Sequence, residues 1–312
     1  MAHHRLDATP DTVHWGYFDN ALTPVLTIDS GDSVTITSVS GGPGHLPGHD
    51  TGLTIPDALP AIHASVPHKF GPHICTGPVA VRGAKPGDVL EVRIGAIELP
   101  YDWGYNLIRP GTGALPDDFA SERLIHIPLD RERNVGRLPW GLEVPLRPFF
   151  GVMGVAPAEA GATSSIPPAR NGGNIDNKEL VAGTTLYLPV QVDEALFSVG
   201  DGHGVQGDGE VCLTAIETGL TGTFELHLRP DLKREWPFAE TPTHLVTMAF
   251  DPDLDRCVVI ALRDMIAEIC ARTKLSKEDA YTLCSLAADL RMTQVVNGSK
   301  GVHVMLAKAL ID

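Results

Sequence analysis

The chain has 312 residues, of which 43% are hydrophobic and 20% are charged, and its formal net charge is −15. This length can bury a substantial core, in one large domain or in two closely packed ones. The negative charge argues against a nucleic acid or an anionic membrane as partner, and it favours a neutral or cationic small molecule as ligand.

Residues 1–7 lack the apolar run of a signal peptide, and no segment approaches the length of a membrane span. We therefore expect a cytoplasmic protein without a membrane partner. The five cysteines are an odd number and form no CxxC pair. Buried free thiols explain them better than disulfides do.

The N-terminal part carries β-strand signals. Residues 24–39 alternate apolar and polar side chains around a Ser-Gly-Asp turn, which predicts two short strands. Residues 40–72 are rich in glycine, proline and histidine and predict a long loop. Residues 79–94 and 179–190 repeat the pattern of a glycine turn before an alternating strand. These turns contain Gly31, Gly87 and Gly183. The repetition suggests an internal duplication, although such turns also recur by chance.

The middle of the chain, residues 98–175, looks irregular, and its aromatic side chains either pack between sheets or line a pocket. Further on, apolar residues at helical spacing predict a helix over residues 255–273. Ser276 begins a second predicted helix that runs to about Leu290, and a final strand is expected from Met292, leading to an apolar stretch that begins at Gly301. The sum is a mainly β fold, a sandwich or barrel, with a smaller α+β C-terminal part. We place the β-rich body at 1–235 and the α+β part at 236–312.

Most of the candidate chemistry lies in Ser198–Glu210, which we call the glycine–acid segment. Its many glycines predict a rigid loop between strand-like sequences on both sides. Residues two apart in an extended chain point the same way, so Asp201 with His203, or Asp208 with Glu210, could bind one divalent ion. Zinc suits such ligands, and calcium or manganese suits a more carboxylate-rich set. An acidic turn that only caps strands is the alternative.

Two other segments offer functional side chains. Residues 170–178 form a polar loop before a strand, which suits substrate positioning and a further metal ligand, or only a polar turn. Its candidate residues are Asn174, Asp176, Asn177 and Lys178. His73 precedes a Thr-Gly-Pro turn and could be a ligand or an acid–base group, although a lone loop histidine is more often structural. Cys75 is a weak nucleophile candidate, because no neighbour in sequence favours its thiolate.

These motifs together resemble the acetamidase/formamidase family. They are His73-x-x-Thr-Gly-Pro with Gly83-Ala-Lys-Pro-Gly-Asp, then Phe150-Gly-Val-Met-Gly-Val-Ala-Pro, Gly173-Asn-Ile-Asp-Asn-Lys, and the glycine–acid segment extended from Leu196 to Val211. The N-terminal region from His14 to Asp32 is also similar to that of the family. The motifs follow the family's order over nearly the whole chain.

The resemblance implies hydrolysis of a short-chain aliphatic amide, similar to formamide or acetamide, to a carboxylate and ammonia. It also implies a β-rich fold peculiar to the family, a bound divalent metal that is most often zinc, and a homo-oligomer of two or more subunits. Asp176, Asp201 and His203 are the implied metal ligands. Glu210 is the implied general base, and His73 and Asn174 are the other implied catalytic residues. Gln206, Asn177 and Lys178 are expected to bind the substrate.

Two alternatives to this function stay open at the level of sequence. One keeps the amide chemistry but moves it to a lactam or a larger amide, which the aromatic middle region would tolerate. The long loop of residues 40–72 leaves the substrate's size open in the same way. The other is a non-catalytic β module that binds a metal or a small polar ligand through the glycine–acid segment.

Overall fold

Two large β-sheets share the main hydrophobic core in a computed structural model that describes residues 1–311. In chain order, the strands are β1 (His3–Leu6), β2 (Val13–Trp15), β3 (Tyr17–Phe18), β4 (Leu26–Ile28), β5 (Ser33–Thr37), β6 (Ile74–Val81), β7 (Val89–Glu98), β8 (Trp103–Ile108), β9 (Arg123–Asp130), β10 (Val135–Arg137), β11 (Glu143–Pro145), β12 (Phe149–Gly154), β13 (Thr163–Ser164), β14 (Gly172–Asn174), β15 (Thr185–Pro189), β16 (Phe197–His203), β17 (Glu217–Thr218), β18 (Thr221–Arg229), β19 (Phe238–Glu240), β20 (His244–Asp251), β21 (Asp289–Gln294) and β22 (Lys300–Ala307). The helices are α1 (Ala58–Ser65), α2 (Leu254–Arg272) and α3 (Lys277–Ala287), with short 3-10 helices at Pro43–His45, His49–Thr51 and Lys308–Leu310.

The nine-stranded sheet has the order β1-β5-β18-β7-β15-β19-β20-β22-β21. The second sheet has eleven strands, and its main path is β11-β10-β9-β8-β17-β16-β12-β14, with β6 paired to β16 and both β2 and β4 paired to β6. Strands β13 and β3 form a separate pair. Most neighbours are antiparallel, and β1–β5 and β4–β6 are parallel pairs.

The core between the two large sheets is built from alternating strands. In β5 and β18, every second side chain is buried, because one face of the sheet is turned to the core. Phe224 of β18 packs edge-on against Phe150 and Phe197 of the other sheet, at centroid distances of 5.3 and 5.9 Å. The mainly β prediction is therefore confirmed, and the architecture is a sandwich.

Each C-terminal helix begins directly after a capping residue, and Ser276 is the one that the sequence predicts. The Asp253 side chain accepts the Asp255 N–H at the start of α2, and Ser276 accepts the Asp279 N–H at the start of α3. The apolar face of α2 packs against β20 and β22. Both predicted helices are confirmed, although Leu290 lies in β21 and not at the end of α3.

Two predictions about irregular segments are wrong. The predicted loop of residues 40–72 contains α1, whose Leu59 and Ile62 are fully buried. The short helix is stabilised by packing against Trp15 and other core side chains, which the proline-rich sequence does not reveal. Residues 98–175 are also not irregular, because they contain β8 to β14. Several of these strands are only two or three residues long, too short to show a period.

The three repeated glycine turns are present. Gly31, Gly87 and Gly183 have φ angles of +94°, +90° and +87°, which residues with a Cβ rarely adopt. They lie just before β5, β7 and β15, which belong to the same sheet. Strands β19 to β22 continue that sheet at its far end, so the sheet extends across residue 235. The division into two parts there stays a prediction.

All five cysteines are free thiols, and Cys75, Cys257 and Cys284 are buried. This agrees with the interpretation drawn from their number and spacing.

Within residues 1–311, no helix has both the length and the apolar character that crossing a membrane requires.

His14 is a buried histidine held in one tautomer. Its Nδ1 lies 2.6 Å from the Tyr17 carbonyl oxygen, which only accepts, so Nδ1 carries the proton and Nε2 accepts from Ser198 Oγ at 2.9 Å. Burial lowers the pKa of His14 to about 4. The folded protein therefore keeps this ring neutral over a pH range in which the unfolded chain protonates it.

The stability of the protein should fall in acid partly through His14. Because the folded pKa lies below the unfolded value of about 6.5, stability is lost as the pH falls from about 6.5 towards 4. Between pH 7 and pH 5, His14→Gln should lose about 2 kcal/mol less of its free energy of unfolding than the unmodified protein. Urea unfolding at both pH values measures this, with the exposed His49→Gln as control. Equal losses in the His14→Gln and unmodified proteins would refute the assignment.

Candidate active site

The first half of the glycine–acid segment is a buried strand, not the predicted loop. All seven residues of β16 are buried, with β12 along one edge and β6 and β17 along the other. A Cβ at Gly200 would lie 2.5 Å from the Ile74 carbonyl oxygen, and one at Gly202 would lie 2.5 Å from that of Thr218. Glycine is needed here because the neighbouring strands come so close. The strand-like sequence after the segment is irregular until β17 begins at Glu217.

Asp201 and His203 point the same way from β16, as their spacing predicts. His203 Nε2 lies 3.2 Å from Asp201 Oδ2, and the His203 ring packs edge-on against Phe149 at a centroid distance of 5.0 Å. Three further carboxylates converge on the same nitrogen. The distances from His203 Nε2 are 3.3 Å to Glu217 Oε2, 3.8 Å to Asp176 Oδ1 and 3.9 Å to Glu210 Oε1. We call these five buried side chains the acid cluster.

Gly151 provides the space for the acid cluster. It lies in β12, beside Asp201 on the neighbouring strand. A Cβ at this position would lie 2.4 Å from Asp176 Oδ1, 2.8 Å from Asp201 Oδ2 and 2.9 Å from His203 Cε1. Real Cβ atoms do not approach other atoms so closely, so the cluster closes around a position that only glycine can occupy.

Three members of the acid cluster have an unfavourable backbone. The φ angles of Asp176, Asp201 and Glu210 are +50°, +54° and +49°. Residues with a Cβ rarely adopt positive φ angles, and the conformation costs on the order of 1 kcal/mol per residue. The surrounding fold must supply that energy, and such strain is typical of functional sites.

His73, Asn174 and Asn297 border the acid cluster. His73 Nε2 lies 3.8 Å from Asp201 Oδ2, and its Nδ1 is 2.8 Å from Ser165 Oγ. Asn174 Nδ2 donates to the Ile166 carbonyl oxygen, while its Oδ1 has no partner within residues 1–311. Asn297 Nδ2 donates to Asp176 Oδ2 at 2.6 Å. An amide acceptor and an imidazole nitrogen therefore face the carboxylates.

Burial and crowding shift the ionisation of the acid cluster. Burial raises the pKa of Glu217 to about 7, despite the opposing effect of His203. Burial, reinforced by the charge of Asp176, raises the pKa of Glu210 well above its usual value. Burial would also raise the pKa of Asp201, but His73 and His203 outweigh it and hold that pKa below its ordinary range. Burial disfavours His203 in its charged form, yet Glu217 and Asp201 raise its pKa well above normal.

The acid cluster has the donors that a divalent cation needs. Two groups of three side chains place their ligand atoms within 4.8 Å of one another, namely Asp176, His203 and Glu210, and Asp201, His203 and Glu217. Asp176 Oδ1 and Glu210 Oε2 are buried and have no hydrogen-bond partner in the described chain. Four carboxylates this close together repel one another unless a cation or protons compensate. The residues therefore fit a divalent metal.

Gln206 lies behind His203 and orients its ring. Gln206 Nε2 donates to the carbonyl oxygens of Asp176 and Thr293, at 2.8 and 3.3 Å. Its Oε1 therefore faces His203 Nδ1, 2.9 Å away, and can only accept from it. The proton is thus placed on Nδ1, and Nε2 is left facing the carboxylates. Such a partner is typical of metal-binding histidines.

Replacing Gln206 with leucine should weaken binding of a divalent metal about 10- to 100-fold, because His203 loses the acceptor that orients it. Competition with a chelating dye measures the affinity, and thermal unfolding shows whether the variant is folded. Gln191→Leu, a half-buried glutamine outside the cluster, is the control. A folded Gln206→Leu variant with unchanged metal affinity would exclude this role.

Several other residues that the sequence offered as candidates do not point into the acid cluster. Lys178 pairs with Asp208 at 3.0 Å, so Asp208 does not join Glu210 on one ion. Asn177 is fully buried and its Oδ1 accepts the Glu179 N–H. Cys75 is buried, and its burial raises the pKa of the thiol, which disfavours a nucleophile.

Glu217 and Asn297 are site residues that no sequence motif identified. Glu217 follows the apolar stretch Leu213–Ile216 at the start of β17. An acidic residue next to an apolar stretch was the available signal, because a carboxylate is rarely buried unless it is paired or binds a metal. Asn297 lies between β21 and β22, far in sequence from the other site residues. Only the folding of the sheets brings it to Asp176, so no local sequence pattern could have revealed it.

A cavity of about 250 Å³ opens above the acid cluster. Asp176, Asp201, Glu210 and Glu217 line one end, together with His73, Asn174 and Asn297. Gln206, Asn177 and Lys178 are not among the lining residues. A carboxylate–imidazole centre at the base of a partly open cavity is suited to proton transfer and to polarising a small bound molecule.

The profile of the acetamidase/formamidase family matches residues 20–161 and again residues 158–307. The chain belongs to the acetamidase/formamidase family. The two successive matches fit an internal duplication, as the repeated glycine turns suggest.

Individual members of the family are similar to the chain in sequence and in structure. It is 30% identical to a formamidase of Methylophilus methylotrophus over 191 residues, which are 45% of this chain and 47% of the relative. It is 30% identical to an acetamidase of Mycolicibacterium smegmatis over 220 residues, 50% of this chain and 53% of that one. The chain thus spans about half the length of these curated relatives. A solved acetamidase structure from Bacillus halodurans superposes with a TM-score of 0.84, at 31% identity and 98% coverage of both chains.

Proposed function

We propose that the protein hydrolyses a short-chain aliphatic amide to a carboxylate and ammonia. The observation that carries this proposal is the acid cluster at the base of a cavity, in a chain of a family whose named members are formamidases and acetamidases. Amides are poor electrophiles, and ammonia is a poor leaving group. The site must therefore polarise the carbonyl, activate a water molecule and protonate the departing nitrogen.

Asp176, Asp201 and His203 are the proposed metal ligands. Asp176 groups with His203 and Glu210, and Asp201 groups with His203 and Glu217, so either glutamate lies close enough to join a site centred on His203. A divalent cation bound there would polarise the carbonyl and make water acidic enough to attack at neutral pH. The imidazole favours zinc, while the number of carboxylates leaves calcium and manganese as alternatives.

Glu210 is the proposed general base. Its carboxylate lines the cavity, and its buried Oε2 has no protein partner in the described chain. Burial and the charge of Asp176 raise the pKa of Glu210, so a bound cation would be needed to keep it ionised and able to accept a proton from water. The same group can return that proton to the departing nitrogen. Asn174 Oδ1 is free to accept an N–H of the substrate amide, and His73 Nε2 is placed to contact the substrate. Gln206, Asn177 and Lys178 support the site from outside the cavity.

We further propose that the protein is a cytoplasmic homo-oligomer. The five free thiols suit a reducing compartment, and the exposed Trp140 and Val211 line one surface groove that another subunit could cover. Sedimentation of the purified protein measures the subunit number.

Ammonia release from formamide, acetamide and a γ-lactam tests the proposal, before and after chelation and after zinc is added back. Activity that falls with the chelator and returns with zinc supports metal-assisted hydrolysis of amides, and the preferred substrate separates linear amides from lactams. Activity that resists chelation would support amide hydrolysis but contradict the metal-assisted mechanism. No ammonia from any amide by the metal-loaded protein would favour a binding module.

A further inference from the structure

The cavity above the acid cluster has two chemically different ends. Its base is made of carboxylates and amides, whereas much of its wall is apolar. The apolar wall residues are Ile74, Leu107, Ile166, Leu213 and Val296. Tyr105, buried in β8, contributes an aromatic face beside them. A ligand that satisfies both ends needs one hydrolysable polar group and one apolar group.

The cavity is larger than formamide or acetamide requires. A protein cavity of about 150 Å³ holds benzene, or roughly 25 Å³ per carbon atom. At that density, the 250 Å³ of this cavity correspond to about ten heavy atoms. Acetamide has about four and would leave most of the apolar wall uncovered, even after allowance for a metal and a water molecule at the base.

The charges at the mouth of the cavity favour an uncharged acyl group. Arg109 lies there half-exposed, and its nearest acidic partner, Glu122, is 3.7 Å away. Glu122 only partly offsets the guanidinium charge, but the four carboxylates at the base of the cavity oppose a further negative charge. The net charge of −15 further disfavours an anionic substrate.

We infer that the preferred substrates are primary amides with an uncharged aliphatic acyl chain of about four to six carbons, and this inference rests on the proposed function. The acyl chain covers the apolar wall, and the amide lies over the acid cluster. Water attacks the carbonyl carbon, a C–O bond forms and the C–N bond breaks. The products are the carboxylate and ammonium, because the nitrogen takes both protons of the attacking water.

The test is kcat/KM for ammonia release by the purified holoenzyme from formamide, acetamide, butanamide, hexanamide, decanamide and the anionic succinamate. From acetamide to hexanamide, kcat/KM should rise about two- to fourfold per methylene, since each one leaves water for the apolar wall. It should fall for decanamide and be low for succinamate. A maximum at formamide or acetamide, or at succinamate, would overturn the inference and leave the amidase function intact. No ammonia from any amide would overturn both.

Variants at Ile166 test whether the wall itself selects chain length. Ile166 lines the cavity and is 38% exposed, so the fold should tolerate changes of its side chain. Ile166→Trp should move the optimum to a shorter chain by about two carbons, and Ile166→Ala to a longer one. Leu286→Ala removes an exposed aliphatic side chain of α3, outside the cavity, and should leave the profile unchanged. Identical profiles in both Ile166 variants would contradict the assigned wall.

Discussion

Gly151→Ala should strongly reduce both amide hydrolysis and binding of a divalent metal. The added Cβ would lie 2.4 Å from Asp176 Oδ1 and 2.8 Å from Asp201 Oδ2, so the acid cluster must open to admit it. Overpacking of a buried position costs about 1 to 3 kcal/mol, so the Gly151→Ala variant should fold with a lowered melting temperature. Activity should fall at least 100-fold, because displacement of about 1 Å already costs that much.

Gly207→Ala is the matched control for this prediction. It adds the same methyl group within the glycine–acid segment, where nothing lies within 4 Å of the added carbon. Circular dichroism and thermal unfolding report the folding of both variants, and ammonia release and metal analysis report the site. A folded Gly151→Ala protein that retains activity and metal would show that the acid cluster is not the active site.

Replacing Glu210 with glutamine should lower kcat by about 100- to 10,000-fold, the range expected for loss of a general base. The amide of glutamine has nearly the shape of the carboxyl group but cannot take a proton from water. KM and the melting temperature should change little, because the variant fills the same buried volume. Steady-state kinetics with the preferred amide, at fixed metal content, measure the effect.

Asp208→Asn is the control for charge within the same segment. Asp208 pairs with Lys178 and lies outside the cavity, so this variant should keep kcat within about threefold. A Glu210→Gln variant with unchanged turnover would remove Glu210 from the role of base. Glu217, the other carboxylate of high pKa at the cavity, would then be the next candidate.

The fold predictions that are confirmed rest on long sequence patterns, and those that are wrong concern segments without one. The helices α2 and α3 repeat an apolar face over several turns, and each begins at a capping side chain, so both could be predicted. Helix α1 has only two buried residues, Leu59 and Ile62, and depends on packing against distant partners. The glycine–acid segment was wrongly predicted to be entirely a loop, because glycine's fit between close strands is not visible in a local pattern.

The family, the mainly β class and most of the acid cluster could be recognised from the order of the amino acids alone. Asp201 and His203 are two residues apart in a strand, so their convergence follows from local geometry, and the motifs around them are specific enough for recognition. The packing of the folded chain was needed to show that Glu217 completes the cluster, that Gln206 lies behind His203, and that Gly151 provides the space. These residues lie on different strands and loops. Their proximity depends on the pairing of β12, β16 and β17, which no local period encodes.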